Sequence, residues 1–454
     1  MTIKEGIRSL LNHLAPAGTF RRNVLQSFWR IILFVRREGL RGLVGKIPSS
    51  VRKLKNELKK PQGIFRSAYD LEDNSTVILY TDNPALFPQY QPRRSLSGCQ
   101  KRWLGVSLIS TTYNEKESVV PWLEGIHQQT RLPEEMVIVD GGSQDGTLEL
   151  LQEYAQKSGL NMRVISRPGA NIAAGRNVAI TEAHNPIIAC SDFGCRPRPD
   201  WLEKIVAPIE DRGGNLASDG TSAVQVSAGW FDAIHAGRTT RRLGWASLSD
   251  LDPQAFLPSS RSISFLKDAW QTVGGYPEWL TLTGEDTCFD FALKQACPRW
   301  AFVPEAVVEW QAPATPFDYW RKIDLWSVGD GEAGILTGYY WWSLVRILSA
   351  PLITLASTAI ISLACAAGLV SWFVTLVMIL AVWIAALAFP YKGVYRAVGS
   401  IPALVWEMGA DYARLSGFFR GLQRRRQVTE RRFTSTRGLV MILAVVPLED
   451  TGGG

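Results

Sequence analysis

The sequence predicts an α/β protein with a mostly parallel sheet covered by helices on both faces. A pair of apolar helices follows near the C-terminus. Two observations carry this. Between residues 106 and 190, short apolar runs alternate with segments of helical periodicity. Parallel strands need crossover connections, and those helices bury both faces of the sheet. Farther on, no charged residue occurs from Ile347 to Tyr391. That stretch is long enough for two membrane spans of ~20 residues each.

Composition narrows the class. The chain has 454 residues, 46% hydrophobic and 20% charged, with Gly 39 and Pro 24. These values exclude disordered and collagen-like chains, and the length predicts about two to four domains. Residues 1–60 hold 14 Lys and Arg against 3 Asp and Glu, while the rest of the chain is slightly acidic. A basic arm on a near-neutral body points to a local anionic surface and not to nucleic acid. The six cysteines lack CxxC spacing, and His13, His127, His184 and His235 form no ligand cluster with them. Free thiols and no structural zinc are expected. The run Ile31–Val35 is too short for a signal peptide.

Taken in order, residues 1–60 read as a basic membrane-surface arm. Val24, Leu25, Phe28, Ile31, Ile32 and Val35 recur at helical spacing, with Arg22, Arg30, Arg36 and Arg37 mostly opposite. Such a helix lies on an anionic leaflet or, alternatively, packs on the body. Residues 61–104 read as a linker or irregular segment. Strands are expected at Val106–Ser110, Met136–Val139, Met162–Ile165 and Ile187–Cys190. Helices are expected at Ser118–Gln129, up to Gly159, and at Ala173–Ala183. The α/β body runs over 105–335, two transmembrane helices over 344–391, and a basic cytoplasmic tail with an amphipathic stretch near Trp406–Phe419 over 392–454. Gly368 and Ser371 suit the turn between the spans. Arg346, Lys392, Arg396 and the cluster Arg424-Arg425-Arg426 flank the pair, which places both flanks, and the body, on the cytoplasmic side.

In open parallel sheets, ligands sit outside the carboxyl ends of the strands. Here those ends deliver Glu115, Asp140 and Asp192. Asp145, just ahead of a helix, reads as a turn or cap residue. No G-x-G-x-x-G follows the first strand, and no P-loop lysine is present, so nicotinamide and P-loop nucleotide binding are excluded. A turn rich in hydroxyls and carboxylates suits a base and a ribose better than a phosphate cradle.

Five ordered motifs resemble the inverting glycosyltransferases of family 2, with the nucleotide-sugar GT-A fold. They are Ser110-Thr111-Thr112-Tyr113-Asn114-Glu115, Val137 to Thr147 (similar to V-D-D-G-S-x-D-G-T), Ala173-Ala174-Gly175-Arg176-Asn177, Asp192 where D-x-D begins, and Gly284-Glu285-Asp286. The resemblance covers 106–331. It implies that Thr112, Glu115 and Asp140 contact the nucleoside of the donor, and that Arg176 and Asn177 orient nucleotide or sugar. It further implies that Asp192 faces the diphosphate and a divalent cation, Mg²⁺ or Mn²⁺, that Asp286 is the general base and that Glu285 is its neighbour. As a bare pattern, Glu285-Asp286 also fits a helix N-terminus, where the macrodipole favours acids, and the two roles can coexist.

Gly141 replaces the second Asp of V-D-D, and Gly194 that of D-x-D. One carboxylate, with phosphate oxygens and waters, can still hold Mg²⁺. Residues 319–331 lack the Q-x-x-R-W of chain-extruding synthases, so addition of one sugar is expected, with Trp320 and Trp326 as stacking or interfacial aromatics or, equally, as core packing. The expected enzyme is anchored in the cell membrane, faces the cytoplasm, and acts on a lipid-linked or surface-glycan acceptor. A non-catalytic scaffold of the same fold is the alternative.

Overall fold

The computed structural model describes residues 73–100, 102–211, 224–235, 238–239, 248, 251–335, 337–368 and 370–425. The expected helix of the basic arm and the end of the tail lie outside the described residues.

The body is built on one eleven-stranded sheet. Its strands are β1 (Thr76–Tyr80), β2 (Arg93–Arg94), β3 (Val106–Thr112), β4 (Glu135–Asp140), β5 (Met162–Ser166), β6 (Ile187–Cys190), β7 (Cys195–Pro197), β8 (Val226–His235), β9 (Arg238–Thr239), β10 (Ile263–Leu266) and β11 (Arg299–Gln311). The main path is β2-β1-β11-β8-β10-β6-β3-β4-β5, with β7 on β11 and β9 on β8. Strands β6, β3, β4 and β5 pair in parallel, while β10 runs antiparallel to both β6 and β8. This one reversed strand joins the first half of the sheet to the second.

Side chains alternate along each strand, so each strand feeds two cores. Leu108 and Ile138 point into one, with Trp122 and Leu123 of α1 (Lys116–His127), Leu151 of α2 (Thr147–Lys157) and Ile205 of α4 (Trp201–Glu210). Ile109 and Val139 point into the other, with Ala179 and Ile180 of α3 (Ile172–Glu182), Ala269 of α5 (Lys267–Val273) and Phe289 of α6 (Glu285–Ala296). The fully buried β4 explains why it reads as a continuous apolar run.

The segment expected as an irregular linker is corrected in part: β1 lies within it and pairs in parallel with β11. Val77, Leu79 and Tyr80 are buried. Lys294 of α6 holds the approach to this strand, donating to the Ser75 hydroxyl at 3.1 Å and the Gln254 carbonyl at 3.1 Å.

After β11, α7 (Pro316–Ala333) leads to α8 (Thr337–Ala366), α9 (Trp372–Val398) and α10 (Ile401–Arg425). Tyr339–Ala366 is long and apolar enough to cross a membrane. Trp372–Ala386 and Pro390–Arg396 pass that test only together, across a 51° bend. Pro390 lacks the N–H that would continue the helical ladder, which accounts for the break. Leu352, Leu355, Ile360 and Leu363 of α8 and Trp372 and Ile384 of α9 are exposed. The amphipathic stretch of the tail packs on the body: α10 lies against α7, with Ala410, Arg414 and Phe418 buried.

Candidate active site

The register of β3 on β4 sets Thr112 beside Asp140 at the carboxyl ends of the two strands. Both are buried. The Asp140 Oδ2 accepts from the backbone N–H of Gly142 at 2.8 Å and of Ser143 at 2.9 Å. Its Oδ1 and the Thr112 Oγ1 have no partner. Buried polar atoms are rarely left unsatisfied, so two adjacent ones at strand ends mark a place where a ligand can complete the bonding.

Gly141 follows directly. A Cβ there would stand 3.0 Å from the Ala170 carbonyl oxygen and 3.5 Å from that of Thr112. Backbone thus lies close over the strand end at this position. Glu115 is half-buried; its backbone N–H donates to Thr147 Oγ1 at 3.0 Å, and its Oε2 accepts from Ser118 Oγ at 2.9 Å. Asp145 accepts from the N–H of Thr147 at 3.0 Å and of Lys116 at 3.1 Å, so it is a turn residue.

At the end of β6, Ser191 accepts from the Trp122 indole at 3.3 Å, and Phe193 packs on that ring at 4.5 Å between centroids. Between them Asp192 turns towards Arg176 of α3. The buried Arg176 donates to Asp192 Oδ1 at 2.7 Å and to Glu285 Oε1 at 2.6 Å. One guanidinium thus joins the acid after β6 to the acid that opens α6. Burial opposes the Asp192 charge, yet Arg176, then Arg261 and Lys322, outweigh it and hold its carboxyl below the usual range. Burial, then the adjacent Asp286 carboxylate, push Glu285 up to about 7 in spite of Arg176.

Gly284, at φ 89°, turns the chain into α6, so Glu285 and Asp286 occupy its first turn. Asp286 is half-buried and, among the described residues, has no cation at ion-pair distance. Its Oδ1 accepts from the Thr287 N–H at 2.8 Å and its Oδ2 from Ser259 Oγ at 3.4 Å. Asn177 is fully used by the turn that precedes α6. Its Oδ1 accepts from the Tyr276 N–H at 2.8 Å and the Trp270 indole at 3.0 Å, and its Nδ2 donates to the Tyr276 carbonyl and to Glu278.

Two cations that the motifs did not indicate lie close by. Arg261 sits 4.9 Å from the Trp310 ring centroid, and Lys322 of α7 sits 4.6 Å from it. Trp326 lies 6.0 Å from Trp310. Arg261 Nη1 donates to Ser259 Oγ at 2.8 Å. No local pattern marks either cation; only the fold brings them to the strand ends.

A divalent cation finds few ligands here. Among the described residues, no group of three or more His, Cys, Asp or Glu is placed to hold one. Asp192 has one of its oxygens taken by Arg176, and two further cations act on it. These residues do not fit a resident metal ion.

A parallel half-sheet with acids and unpaired hydroxyls at its ends, joined through one antiparallel strand to a second half bearing an acid pair, is the GT-A arrangement. The family description "Glycosyl transferase family 2" matches residues 107–246, and "Glycosyl transferase family group 2" matches 188–391. Residues 107–391 carry domains of the family 2 glycosyltransferases, a family of enzymes. The glycosyltransferase AglE of Haloferax volcanii is 33% identical over 113 residues, 24% of this chain and 37% of that protein. The chain therefore spans about a third of that relative. The O-antigen chain rhamnosyltransferase RfbN of Salmonella typhimurium is 23% identical over 225 residues, 48% of this chain and 69% of its own. Among solved structures, a mannosyltransferase from Pyrobaculum calidifontis in complex with GDP-Man and Mn²⁺ superimposes with TM-score 0.46 at 17% identity, covering 71% of this chain and 88% of that one.

Proposed function

We propose that this protein is an inverting glycosyltransferase. It moves one sugar from a nucleotide-diphosphate donor to a lipid-linked or cell-surface glycan acceptor at the cytoplasmic face of the cell membrane. The observation that carries this is Arg176, which binds Asp192 and Glu285 at once and so brings the acids of the two half-sheets to one place.

Thr112, Glu115 and Asp140 take the nucleoside, using the unpaired Thr112 Oγ1 and Asp140 Oδ1. Asp192 and Arg176 border the diphosphate. Asn177 acts through the 270–278 turn that it bonds. Asp286 takes the proton of the acceptor hydroxyl as that oxygen bonds to the anomeric carbon. The bond from that carbon to phosphate oxygen breaks on the opposite face, and its electron pair leaves on the nucleoside diphosphate. Glu285, neutralised by Arg176 and by its raised proton affinity, keeps a second full negative charge away from Asp286. A Mg²⁺ or Mn²⁺ ion would have Asp192 as its one protein carboxylate, a donor set too small to hold it before the donor binds.

Support for the membrane comes from the apolar Tyr339–Ala366. An anchored enzyme meets a lipid-linked acceptor in two dimensions. RfbN, by name an O-antigen chain rhamnosyltransferase, favours a glycan acceptor.

The test is Asp286→Asn. Transfer, measured as released nucleotide with native acceptor, falls about 10²–10⁴-fold, and donor binding persists. Full transfer by this variant would remove Asp286 as the base. A scaffold reading rests on Gly141 and Gly194; it requires that no UDP-, GDP- or dTDP-sugar bind in calorimetry.

A further inference from the structure

We propose that Arg261 and Lys322, both held close to the rings of Trp310 and Trp326, form the site that grips the donor's diphosphate and takes up the charge of the leaving group. This rests on the transferase reading above and names the residues that do the work left undone by the incomplete acid pair.

Four elements meet here. Arg261 comes from the segment before β10, Lys322 and Trp326 from α7, Trp310 from β11, and Phe231 from β8. Arg261 lies 5.3 Å from the Phe231 ring centroid and 5.8 Å from that of Trp326; Lys322 lies 5.9 Å from the latter. Both cations are half-buried, and among the described residues neither has a carboxylate at ion-pair distance. Two like charges brought together in a part-dry place cost free energy unless an anion joins them. Burial, then the Arg261 charge, lower the Lys322 ammonium to about 8, with Glu115 and Asp192 among the groups that act on it in the opposite sense. Aromatic faces lend partial compensation through their quadrupoles, which lets the cations wait without a permanent partner.

The chemistry fits a diphosphate. When the bond from the anomeric carbon to phosphate oxygen breaks, that oxygen gains a full negative charge. Fixed cations already in place stabilise it without reorganisation. Arg261 also donates to Ser259 Oγ, which donates to Asp286 Oδ2, so the leaving-group site and the base share one hydrogen-bonded link.

The test is calorimetric titration of the full chain with UDP, GDP and dTDP and with their monophosphates, each in EDTA and in Mg²⁺. Wild type is expected to prefer the diphosphate of its cognate base in EDTA. Arg261→Gln and Lys322→Met should each lose that preference by roughly ten-fold or more, with monophosphate affinity nearly unchanged. Lys322→Arg should keep it. If Arg261→Gln fails to fold, Lys322→Met and Lys322→Arg carry the comparison. An unchanged preference in the neutral variants overturns the proposal and leaves the transferase reading intact. So does a wild type that binds diphosphates only with Mg²⁺. A wild type that binds none of these nucleotides in either buffer overturns both.

Discussion

Two buried arginines organise this molecule, and their surroundings differ in an instructive way. Arg414 of α10 pairs with Glu407 at 3.0 Å and Asp411 at 2.9 Å, and Asp411 also binds Arg346 of α8 at 2.6 Å. Two cations meet two acids, and the Tyr319 hydroxyl of α7 donates to Glu407 at 2.8 Å. The charges of that network balance inside the protein, and it holds three helices together. Arg176 instead meets Asp192 and Glu285, with Asp286 adjacent, and the charges of Arg261 and Lys322, which have no ion pairs among the described residues, also act on Asp192. At the ends of β3 and β4, Asp140 Oδ1 and Thr112 Oγ1 are also unpaired. An open network of this kind spends stability to keep groups available for a ligand.

The largest expected effect separates the two. Arg176→Met leaves Asp192 and Glu285 without their shared cation, and breaking such a buried pair costs about 3–5 kcal/mol. Transfer and nucleotide binding should both vanish. Arg414→Met should cost a similar about 3–5 kcal/mol in thermal unfolding yet leave nucleotide affinity of the folded protein at the wild-type value. Thermal melts and calorimetry on the two variants decide it; loss of nucleotide binding in folded Arg414→Met would mean that the helical network also shapes the site.

A smaller effect probes the same helix contact. A Cβ at Gly421 would stand 2.1 Å from the Val328 carbonyl oxygen, and one at Gly417 2.2 Å from that of Asp324. The backbones of α7 and α10 touch there. Gly421→Ala should force them apart at a cost of about 1–3 kcal/mol, read as a lowered Tm and as faster hydrogen exchange in 401–425.

Much of the site was legible because periodicity located the strand ends and the acids stand there. What Arg176 does was not. Its bond to Glu285 spans 109 residues of sequence, and no local pattern announces such a partner. Asn177 carries the right motif but spends its amide on a turn, which only the backbone of 270–278 reveals. Arg261 and Lys322 sit in stretches that offer no motif; Lys322 lies where the sequence signalled only that Q-x-x-R-W was missing. The five apolar or β-branched residues of β1 were readable, but the polar stretch around them hid a strand that pairs with residues 299–302. For α10, an amphipathic pattern fits a lipid surface and a protein surface equally. The charged residues Glu407, Asp411 and Arg414, which a pattern assigns to the wet face, are buried.

The smallest effect lies where the two regions meet. Asp330 of α7 accepts a hydrogen bond from the Tyr340 hydroxyl of α8. Burial first, and Asp286 also, push its carboxyl up to about 7, against the hydrogen bond. A carboxyl raised on folding holds its proton more tightly in the native state. Its contribution to stability is therefore complete below pH about 4 and is lost as the pH climbs through about 7. Glu285 acts in the same sense over the same range. Asp330→Asn keeps an oxygen for Tyr340 and cannot ionise. Melting curves from pH 4 to pH 8 should therefore fall less steeply for the variant than for wild type. Identical curves would mean that Asp330 ionises freely in the fold, and that the helix after β11 feels nothing of the charge at the base.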